Sequence, residues 1–436
     1  MSIYSLVSES WIFASLLIKL ISVYFPKWKN YDWQLYGVAC LNILTIGSFV
    51  THSASKSSRL WVGLLIITFG LTIAIYVVMA ITSNHRQNAS PIFVNSIVNK
   101  TQIKSDWWAF IIAILNVFAI PGAESAAYMV EETQQAEVVV PRAMFFATFF
   151  TYINMIILQY FCYVSFSEEK TLSESNFTSL LEAHCPRSAT VFILAGLLIL
   201  TWIQQLSQFL GSSRFAWALA RDRAFPWASF WYQLSKGSQI PRRAAMLIVT
   251  ISIVSSILLG LPQNNFTLVI VRSDFYLSTI VYFIPLLLYL TSKKGALNLN
   301  NQNYWNLKSF SKPFTLLLVA VLLLRFTIGA FPIDPKGEPP AYPIRALTTL
   351  TIPVIIIIST IFWFLYGKRH YITPPKNIKA CIAGQEVELS VARSIERRSN
   401  EEGEAFRYPH NNIRGSVAYE GGSKDAPIIC GGGSYI

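Results

Sequence analysis

The stretch DWWAFIIAILNVFAIPGAESAAYMVEETQQAEVVVPRAM, from Asp106 to Met144, contains the feature that decides the fold. An apolar run near 107–128 is long enough to cross a bilayer as a helix, yet Pro121 and Gly122 interrupt it. Proline removes a backbone donor and glycine relaxes the backbone, so we predict a broken helix. Glu124 follows the break, and an acid at that depth costs about 2.5–3.5 kcal/mol on insertion scales. Either this is a simple proline kink with a neutral or paired acid, or the break offers backbone groups and a carboxylate to a substrate.

The composition of the 436-residue chain argues against a water-solvated fold. Hydrophobic residues make up 53% and charged residues 13%, whereas a soluble globular protein has about 25% charged residues. The basic residues lie between apolar runs and form no continuous basic face, which argues against nucleic-acid binding. The five cysteines are scattered and the five histidines lie outside the apolar runs. We therefore predict no disulfide framework, no metal site and no cofactor.

Ten apolar runs of about 20 residues predict ten transmembrane helices, because in lipid a helix satisfies its own backbone polar groups. The predicted spans lie near 4–25, 33–51, 60–82, 107–128, 143–165, 188–213, 244–262, 267–291, 313–332 and 346–367. Residues 1–367 are thus predicted to form a transmembrane domain. Residues 368–436 are polar, mix acidic with basic side chains and end in a Gly/Ser-rich stretch, which predicts a disordered tail.

The distribution of charged residues between the spans predicts the orientation. The segment between the sixth and seventh spans carries six basic residues against one acid, and the segment between the eighth and ninth carries four basic residues and no acid. We expect both segments, and by alternation the C-terminal tail, in the cytoplasm. All four N-x-S/T sequons fall in or beside loops assigned to the outside, at Asn88, Asn99, Asn176 and Asn265. The predicted protein is a multi-pass integral membrane protein.

Three stretches carry a resemblance to a known family. GAESAAYMVEETQQAEVVVPRAM at 122–144 resembles the sixth-helix signature of fungal amino acid permeases, in the branch of the amino acid–polyamine–organocation superfamily that includes the GABA and choline permeases. SSRFAWALARDRAFPW at 212–227 resembles the loop after the family's eighth helix, and FLYGKRHYITPP at 364–375 resembles the end of its last helix. The resemblance implies an all-α bundle of two inverted five-helix repeats, with the substrate between two broken helices. It also implies a late start that omits roughly the first two family helices, since the broken helix is the fourth of ten rather than the sixth of twelve.

The resemblance implies that backbone groups around the break bind the ammonium or carboxylate of a substrate. These residues are Ile120, Pro121, Gly122, Ala123, Glu124 and Ser125. Phe118 matches a position where an aromatic side chain caps the substrate, or it is an ordinary core or lipid-facing aromatic. Glu131, Glu132 and Arg142 form either a cytoplasmic gate or a solvated surface group.

A polar stripe in the sixth span gives further candidates without the resemblance. Thr201, Gln204, Gln208 and Ser212 recur every three or four residues and share one helical face. The stripe either lines the substrate path, with Gln204 and Gln208 as substrate contacts, or forms interhelical hydrogen bonds.

Other ionisable groups in the spans are expected to have structural roles. Lys19 and Arg325 can extend their charged ends to the membrane surface. Arg272 and Asp274 lie in the eighth span and are expected to pair across the bundle, unless that span begins later.

The leading hypothesis is a secondary transporter of amino acids or related small amines, such as GABA and choline. It would work by alternating access with proton coupling, and Glu124 would be the titrating group. Its partners would be the small amino compound, protons and the bilayer of the plasma membrane, with the vacuolar or another endomembrane as the alternative.

A second hypothesis is a non-transporting permease remnant or a membrane protein that binds or senses a partner. An enzyme is not predicted, since no nucleophile–base pair or His/Cys cluster lies near a span. The substrate, the coupling ion and the oligomeric state are left open.

Overall fold

The computed structural model describes most of the helical core. The described residues are 2–25, 27–28, 31–52, 57–82, 107–108, 124–130, 133–166, 177–224, 226–235, 240–260, 266–291, 308–329 and 353–371. Within these ranges the chain is helical apart from short turns, and they contain no β-strand. The prediction of an all-α protein is confirmed.

Twelve helices are described and are numbered here in chain order. They are α1 (Ser2–Tyr24), α2 (Asp32–Thr51), α3 (Ser58–Thr82), α4 (Glu124–Ala127), α5 (Ala136–Phe166), α6 (Phe177–His184), α7 (Arg187–Arg221), α8 (Ala228–Trp231), α9 (Arg242–Gly260), α10 (Phe266–Thr291), α11 (Ser311–Gly329) and α12 (353–362). A 3₁₀ turn at Lys308–Phe310 precedes α11, and α12 continues through a π-helical turn at Trp363–Gly367 into Lys368–His370. All of these helices belong to one compact unit, residues 1–294 and 301–370.

Among the described residues, five helical segments are long and apolar enough to cross a membrane. They are Ile3–Tyr24, Trp33–Thr51, Ser58–Thr82, Val138–Leu158 and Arg187–Arg221. Their outward faces are apolar: α5 exposes four phenylalanines between 145 and 150, each about half accessible. An apolar exterior of this kind suits lipid rather than water. The predicted multi-pass membrane protein is thereby supported, while the full number of ten spans stays a prediction.

The predicted spans agree in place with the helices that the structure describes, but two of these helices extend well beyond them. The fifth span was predicted over 143–165, whereas α5 begins at Ala136. The sixth span was predicted over 188–213, but α7 continues to Arg221 and ends where Arg223 adopts φ 55°. Arg214 and Arg221 were therefore wrongly assigned to a loop. The reason is that hydropathy marks the part of a helix that lies in lipid, whereas the helix itself continues until its backbone hydrogen bonding stops.

Helix α7 lies at the centre of the bundle and packs against α1, α2, α3 and α9. One core cluster joins α1, α2, α7 and α9 through Leu6, Ile46, Leu206, Phe209 and Ile248. The helices approach closely at Gly47 of α2, where a Cβ atom would overlap Val249 of α9. Close packing of this kind fixes the positions of the polar side chains that point into the bundle.

The predicted boundary between the transmembrane domain and the tail, at residues 367 and 368, lies close to Tyr371, the last described residue. The tail predicted over 368–436 lies, after Tyr371, outside the described residues. Its disorder and its cytoplasmic position therefore stay predictions, as does the inverted-repeat arrangement.

Candidate functional site

The site begins with two polar side chains on one side of α1, a largely apolar helix. Ser5 and Glu9 are four residues apart, so their side chains lie on the same side of the helix. The Ser5 Oγ donates a hydrogen bond to Asp274 Oδ1 of α10 at 2.7 Å. Glu9 points toward α7 instead. The two side chains thus connect α1 to two different helices.

Two glutamines on consecutive turns of α7 hold the Glu9 carboxylate. Gln204 Nε2 donates to Glu9 Oε1 at 3.0 Å. With its amide oriented so that the nitrogen faces the carboxylate, Gln208 donates to Oε1 at 2.8 Å and to Oε2 at 2.6 Å. Gln208 is buried, with 7% of its surface exposed. Both oxygens of Glu9 are therefore hydrogen-bonded to neutral amides, and its position is fixed.

A stripe on α10 links three other elements. Asp274, Ser278 and Tyr282 are spaced by four residues and share one face of the helix. Asp274 accepts from Ser5 of α1, as described above. Ser278 Oγ accepts from Arg325 Nη2 of α11 at 3.4 Å, and the Tyr282 hydroxyl donates to Glu124 Oε2 of α4 at 2.5 Å.

The short helix α4 brings Glu124 close to this stripe, because a glycine in α7 allows α4 and α7 to pack closely. Glu124 is 8% exposed and is the first residue of α4. At Gly211 of α7, a Cβ atom would lie 3.1 Å from Tyr128 Cδ2 and 3.5 Å from the Ser125 backbone oxygen. A larger residue would push α4 away from α7, so Gly211 contributes to the position of Glu124.

Acidic side chains outnumber basic ones in the described part of the site. Glu9, Glu124 and Asp274 lie within electrostatic range of one another. Arg325 is only 4% exposed and lies near Asp274 and Tyr282. Three acids and one guanidinium in a buried region are costly to ionise together, because attraction or repulsion is strong where water is excluded. Such an arrangement is suited to binding positive charge.

Two further buried hydrogen bonds connect the helices that carry the site. Trp11 Nε1 of α1 donates to Ser256 Oγ of α9 at 3.2 Å, and Asn42 Nδ2 of α2 donates to Gln205 Oε1 of α7 at 2.5 Å. These bonds connect α1, α2, α7 and α9 at buried positions. They hold in place the two helices that carry Glu9 and its glutamines.

The structure brings together four of the residues predicted from sequence: Glu124 and Ser125 lie on α4, which packs on α7, and Gln204 and Gln208 face α1 from α7. The other members of the stripe bond locally, since Thr201 Oγ1 donates to the Leu198 carbonyl and Ser212 Oγ to the Gln208 carbonyl. The remaining predicted site residues, Phe118, Ile120, Pro121, Gly122 and Ala123, lie outside the described residues, as do Glu131 and Glu132. That any of these residues binds substrate stays a prediction.

Sequence reasoning missed half of the site. Glu9, Tyr282 and Arg325 were not among the candidates, and the expectation that Arg325 reaches the membrane surface is wrong, since it is buried. Asp274 does pair across the bundle, through Ser5. The available signal was the spacing: polar residues at intervals of four on apolar helices, as in Ser5–Glu9 or Asp274–Ser278–Tyr282, indicate a face that points inward.

Acidic side chains do not converge tightly enough to hold a metal in the described part of the chain. No group of three or more His, Cys, Asp or Glu side chains there has the geometry to bind a metal ion. The carboxylates of the site are spread over α1, α4 and α10, so they do not converge on the position of a single ion.

Apolar helices around a buried, charged interior define a multi-pass integral membrane protein. Comparison with known proteins gives its family. Residues 3–361 match the model of a family described as amino acid permease, so the chain belongs to the amino acid permease family.

Relatives within this family are distant. The chain is 24% identical to amino-acid permease 2 of Neurospora crassa over 287 residues, which cover 63% of this chain and 50% of that protein. It is 27% identical to a putative polyamine transporter of Candida albicans over 282 residues, which cover 62% of this chain and 49% of that protein. An uncharacterized amino-acid permease of Schizosaccharomyces pombe is 23% identical over 376 residues, 83% of this chain and 65% of that protein. The match spans about half the length of the first two relatives.

Proposed function

We propose that the protein is a secondary transporter that moves amino acids or related small amines across a membrane by alternating access, with proton coupling. Glu124 is the observation that carries this proposal. It is a buried acid that directly follows the predicted break and accepts a hydrogen bond from Tyr282. A carboxylate within a membrane bundle is costly, and in a chain of the permease family its presence favours a role in transport over catalysis.

The proposed substrate site is the region between the predicted break and the polar faces of α1, α7 and α10. In an arrangement of two inverted repeats, backbone groups of Ile120–Ser125 would bind the substrate's polar end, and Phe118 would cap it. Gln204 and Gln208 would line the opposite side. GABA and choline are expected substrates from the sequence resemblance, and the names of the relatives add amino acids and polyamines.

Proton coupling follows from the crowding of negative charge. Glu9 and Asp274 lie within electrostatic range of Glu124, so the three carboxylates would repel one another in a buried region if all of them were ionised. A proton on Glu124 removes one of these charges and lowers the cost of closing the site. Loss of that proton on the other side restores the charge. Proton movement is thereby linked to the change between outward-open and inward-open states.

Uptake by purified protein tests the proposal. The full chain is reconstituted in liposomes, and uptake of labelled amino acids, GABA, choline and putrescine is measured with and without an inward proton gradient. We expect gradient-stimulated uptake by the unchanged protein and loss of that stimulation in Glu124→Gln. Glu182→Gln is the matched control, because Glu182 is an exposed acid paired with Lys19.

Two results would contradict the proposal. Undiminished proton stimulation in Glu124→Gln would remove Glu124 as the titrating group. No uptake of any substrate by folded, monodisperse protein would overturn transport and favour the alternative of a membrane protein that binds or senses a partner.

The cellular arrangement is proposed on the same basis. The basic segments between spans support a cytoplasmic C-terminal tail, residues 368–436, and we place the protein in the plasma membrane. In intact cells a C-terminal tag should be protected from added protease. Cleavage of that tag without permeabilisation would reverse the orientation.

A further inference from the structure

We infer that the surface formed by Trp227, Phe230, Arg242 and Arg243, at the end of the bundle where α7 finishes and α9 begins, binds the headgroups of anionic phospholipids. The two arginines would contact the lipid phosphate, and the two aromatic rings would enter the surface of the bilayer. This surface lies outside the candidate substrate site, so the inference does not depend on the proposed transport function.

The short helix α8 exposes aromatic side chains at the point where the apolar helix α7 ends. Trp227 is 77% exposed and Phe230 is 48% exposed, whereas Ala228 is buried. Helix α8 packs against both α7 and α9, so these rings lie beside the ends of two long helices of the bundle. Aromatic rings are enriched at this level of membrane proteins, where the bilayer meets water.

The backbone of Trp227 adopts a conformation that is unfavourable for a residue with a side chain. Its φ of 54° and ψ of 35° lie in the left-handed region. Its carbonyl accepts hydrogen bonds from the N–H groups of Phe230 at 2.9 Å and Trp231 at 3.3 Å, which stabilise this conformation. Packing within the chain does not explain it, because the Trp227 ring gains little burial. Contact of the exposed ring with a partner does.

Two arginines at the start of α9 carry their charge next to these rings. The Arg243 guanidinium lies over the Phe230 ring, 4.3 Å from its centroid, and donates to the Phe230 carbonyl at 3.3 Å. Arg242 is exposed and donates to the carbonyl of Thr51, the last residue of α2, at 3.2 Å. Both acceptors are neutral, so they do not offset the positive charge. A guanidinium has further N–H groups, which can bind phosphate oxygens.

Charge and apolar character together select the partner. The stretch from 214 to 243 carries six basic residues and one acid, and this acid, Asp222, pairs with Arg221 at 3.2 Å. A basic and aromatic surface beside apolar helices fits a phospholipid with a negative headgroup, whose phosphate meets the arginines and whose upper acyl chains meet the rings. A soluble phosphate compound would contact the arginines alone. In the orientation proposed above, this end of the bundle faces the cytoplasmic leaflet, where anionic lipids concentrate.

Fluorescence quenching by brominated lipids tests the inference. The full chain is reconstituted in phosphatidylcholine vesicles that contain either brominated phosphatidylcholine or brominated phosphatidylserine. The contribution of Trp227 is the difference between the unchanged protein and Trp227→Phe, which keeps an aromatic ring. We expect brominated phosphatidylserine to quench this contribution with at least about 5-fold higher relative affinity, the scale of one basic residue near a charged surface.

Substitutions of the arginines connect the lipid preference to these side chains. Arg242→Gln combined with Arg243→Gln should abolish the preference for phosphatidylserine, whereas Arg242→Lys combined with Arg243→Lys keeps both charges and should retain most of it. Arg187→Gln is the matched control. Arg187 lies at the opposite end of α7, where its guanidinium likewise contacts an aromatic ring and a backbone carbonyl, both of Tyr24. This control should keep the preference of the unchanged protein.

Three results would overturn the inference. They are equal quenching of the Trp227 contribution by the two lipids, an unchanged preference in the folded double glutamine variant, and loss of the preference when inorganic phosphate is added at constant ionic strength. The last result would indicate a site for a soluble anion. If the double variant does not fold, Arg242→Gln alone decides, since it must lower the preference. None of these measurements requires uptake, so failure of the proposed transport function is a separate result.

Discussion

Two ionisable side chains of α1, Lys19 and Glu9, lie in surroundings that differ in exposure and in the charge of their neighbours. At the end of this helix, Lys19 forms an ion pair with Glu182 at 3.0 Å, and the two side chains are 31% and 38% exposed. Ten residues earlier, Glu9 lies inside the bundle between two glutamine amides and within electrostatic range of two further acids. The first arrangement matches charge with charge in a wet environment. The second arrangement places acidic side chains near one another in the interior of the bundle.

The difference separates a partly exposed ion pair from a polar site in the bundle interior, for which we propose a function. Exposed ion pairs contribute about 0–1 kcal/mol, so the Lys19–Glu182 pair can be lost at little cost. Burying an ionised acid costs several kcal/mol, so a chain that needed only to fold would place apolar residues at the centre. We propose that a ligand or a proton accounts for these acids, and three substitutions sharpen this comparison.

The largest effect is expected from Arg325→Met. Methionine keeps the length of the side chain but removes the guanidinium near Asp274 and the donor to Ser278. Removing a buried charge that offsets a nearby buried acid costs up to about 3–5 kcal/mol, so the free energy of unfolding in detergent should fall by about that amount. Lys312→Met, an exposed lysine on the same helix, is the control. Equal stability of the two variants would contradict an electrostatic role for Arg325.

An intermediate effect is expected from Gly211→Val. The new side chain would press on Tyr128 and on the backbone of Ser125, which lie within 3.1 and 3.5 Å of a Cβ atom at this position. Overpacking costs about 1–3 kcal/mol in the free energy of unfolding, and displacement of α4 should also reduce the proposed proton-stimulated uptake. Gly37→Val makes the same change in α2, where no heavy atom lies within 4 Å of the new Cβ. Similar losses in both variants would show that helix propensity, not the α4–α7 contact, is responsible.

The smallest effect is expected from Lys19→Met. It breaks an ion pair that is about one-third exposed, so the free energy of unfolding should fall by at most about 1 kcal/mol. The difference from the unchanged protein should shrink at high salt, because exposed charges are screened. A fall in the free energy of unfolding as large as that in Arg325→Met would contradict the distinction between the exposed ion pair and the buried site.

Half of the site was predictable from sequence because its signals are local. Glu124 stands out through Pro121 and Gly122 beside it, and Gln204 and Gln208 stand out through their spacing on one helix. Their partners were not predictable in the same way. Tyr282 is 158 residues from Glu124, and nothing in the spacing along one helix says which other helix it faces.

The sequence by itself determined the helical membrane class, the approximate positions of the spans and the acid beside the predicted break. These follow from hydropathy and backbone chemistry, which act over a few neighbouring residues. Only the tertiary structure decided that Ser5 meets Asp274 across 269 residues and that Glu9 lies among amides and other acids. Helix packing decides such meetings, because the close approach at Gly211 and the rotation of each helix depend on all of its neighbours at once.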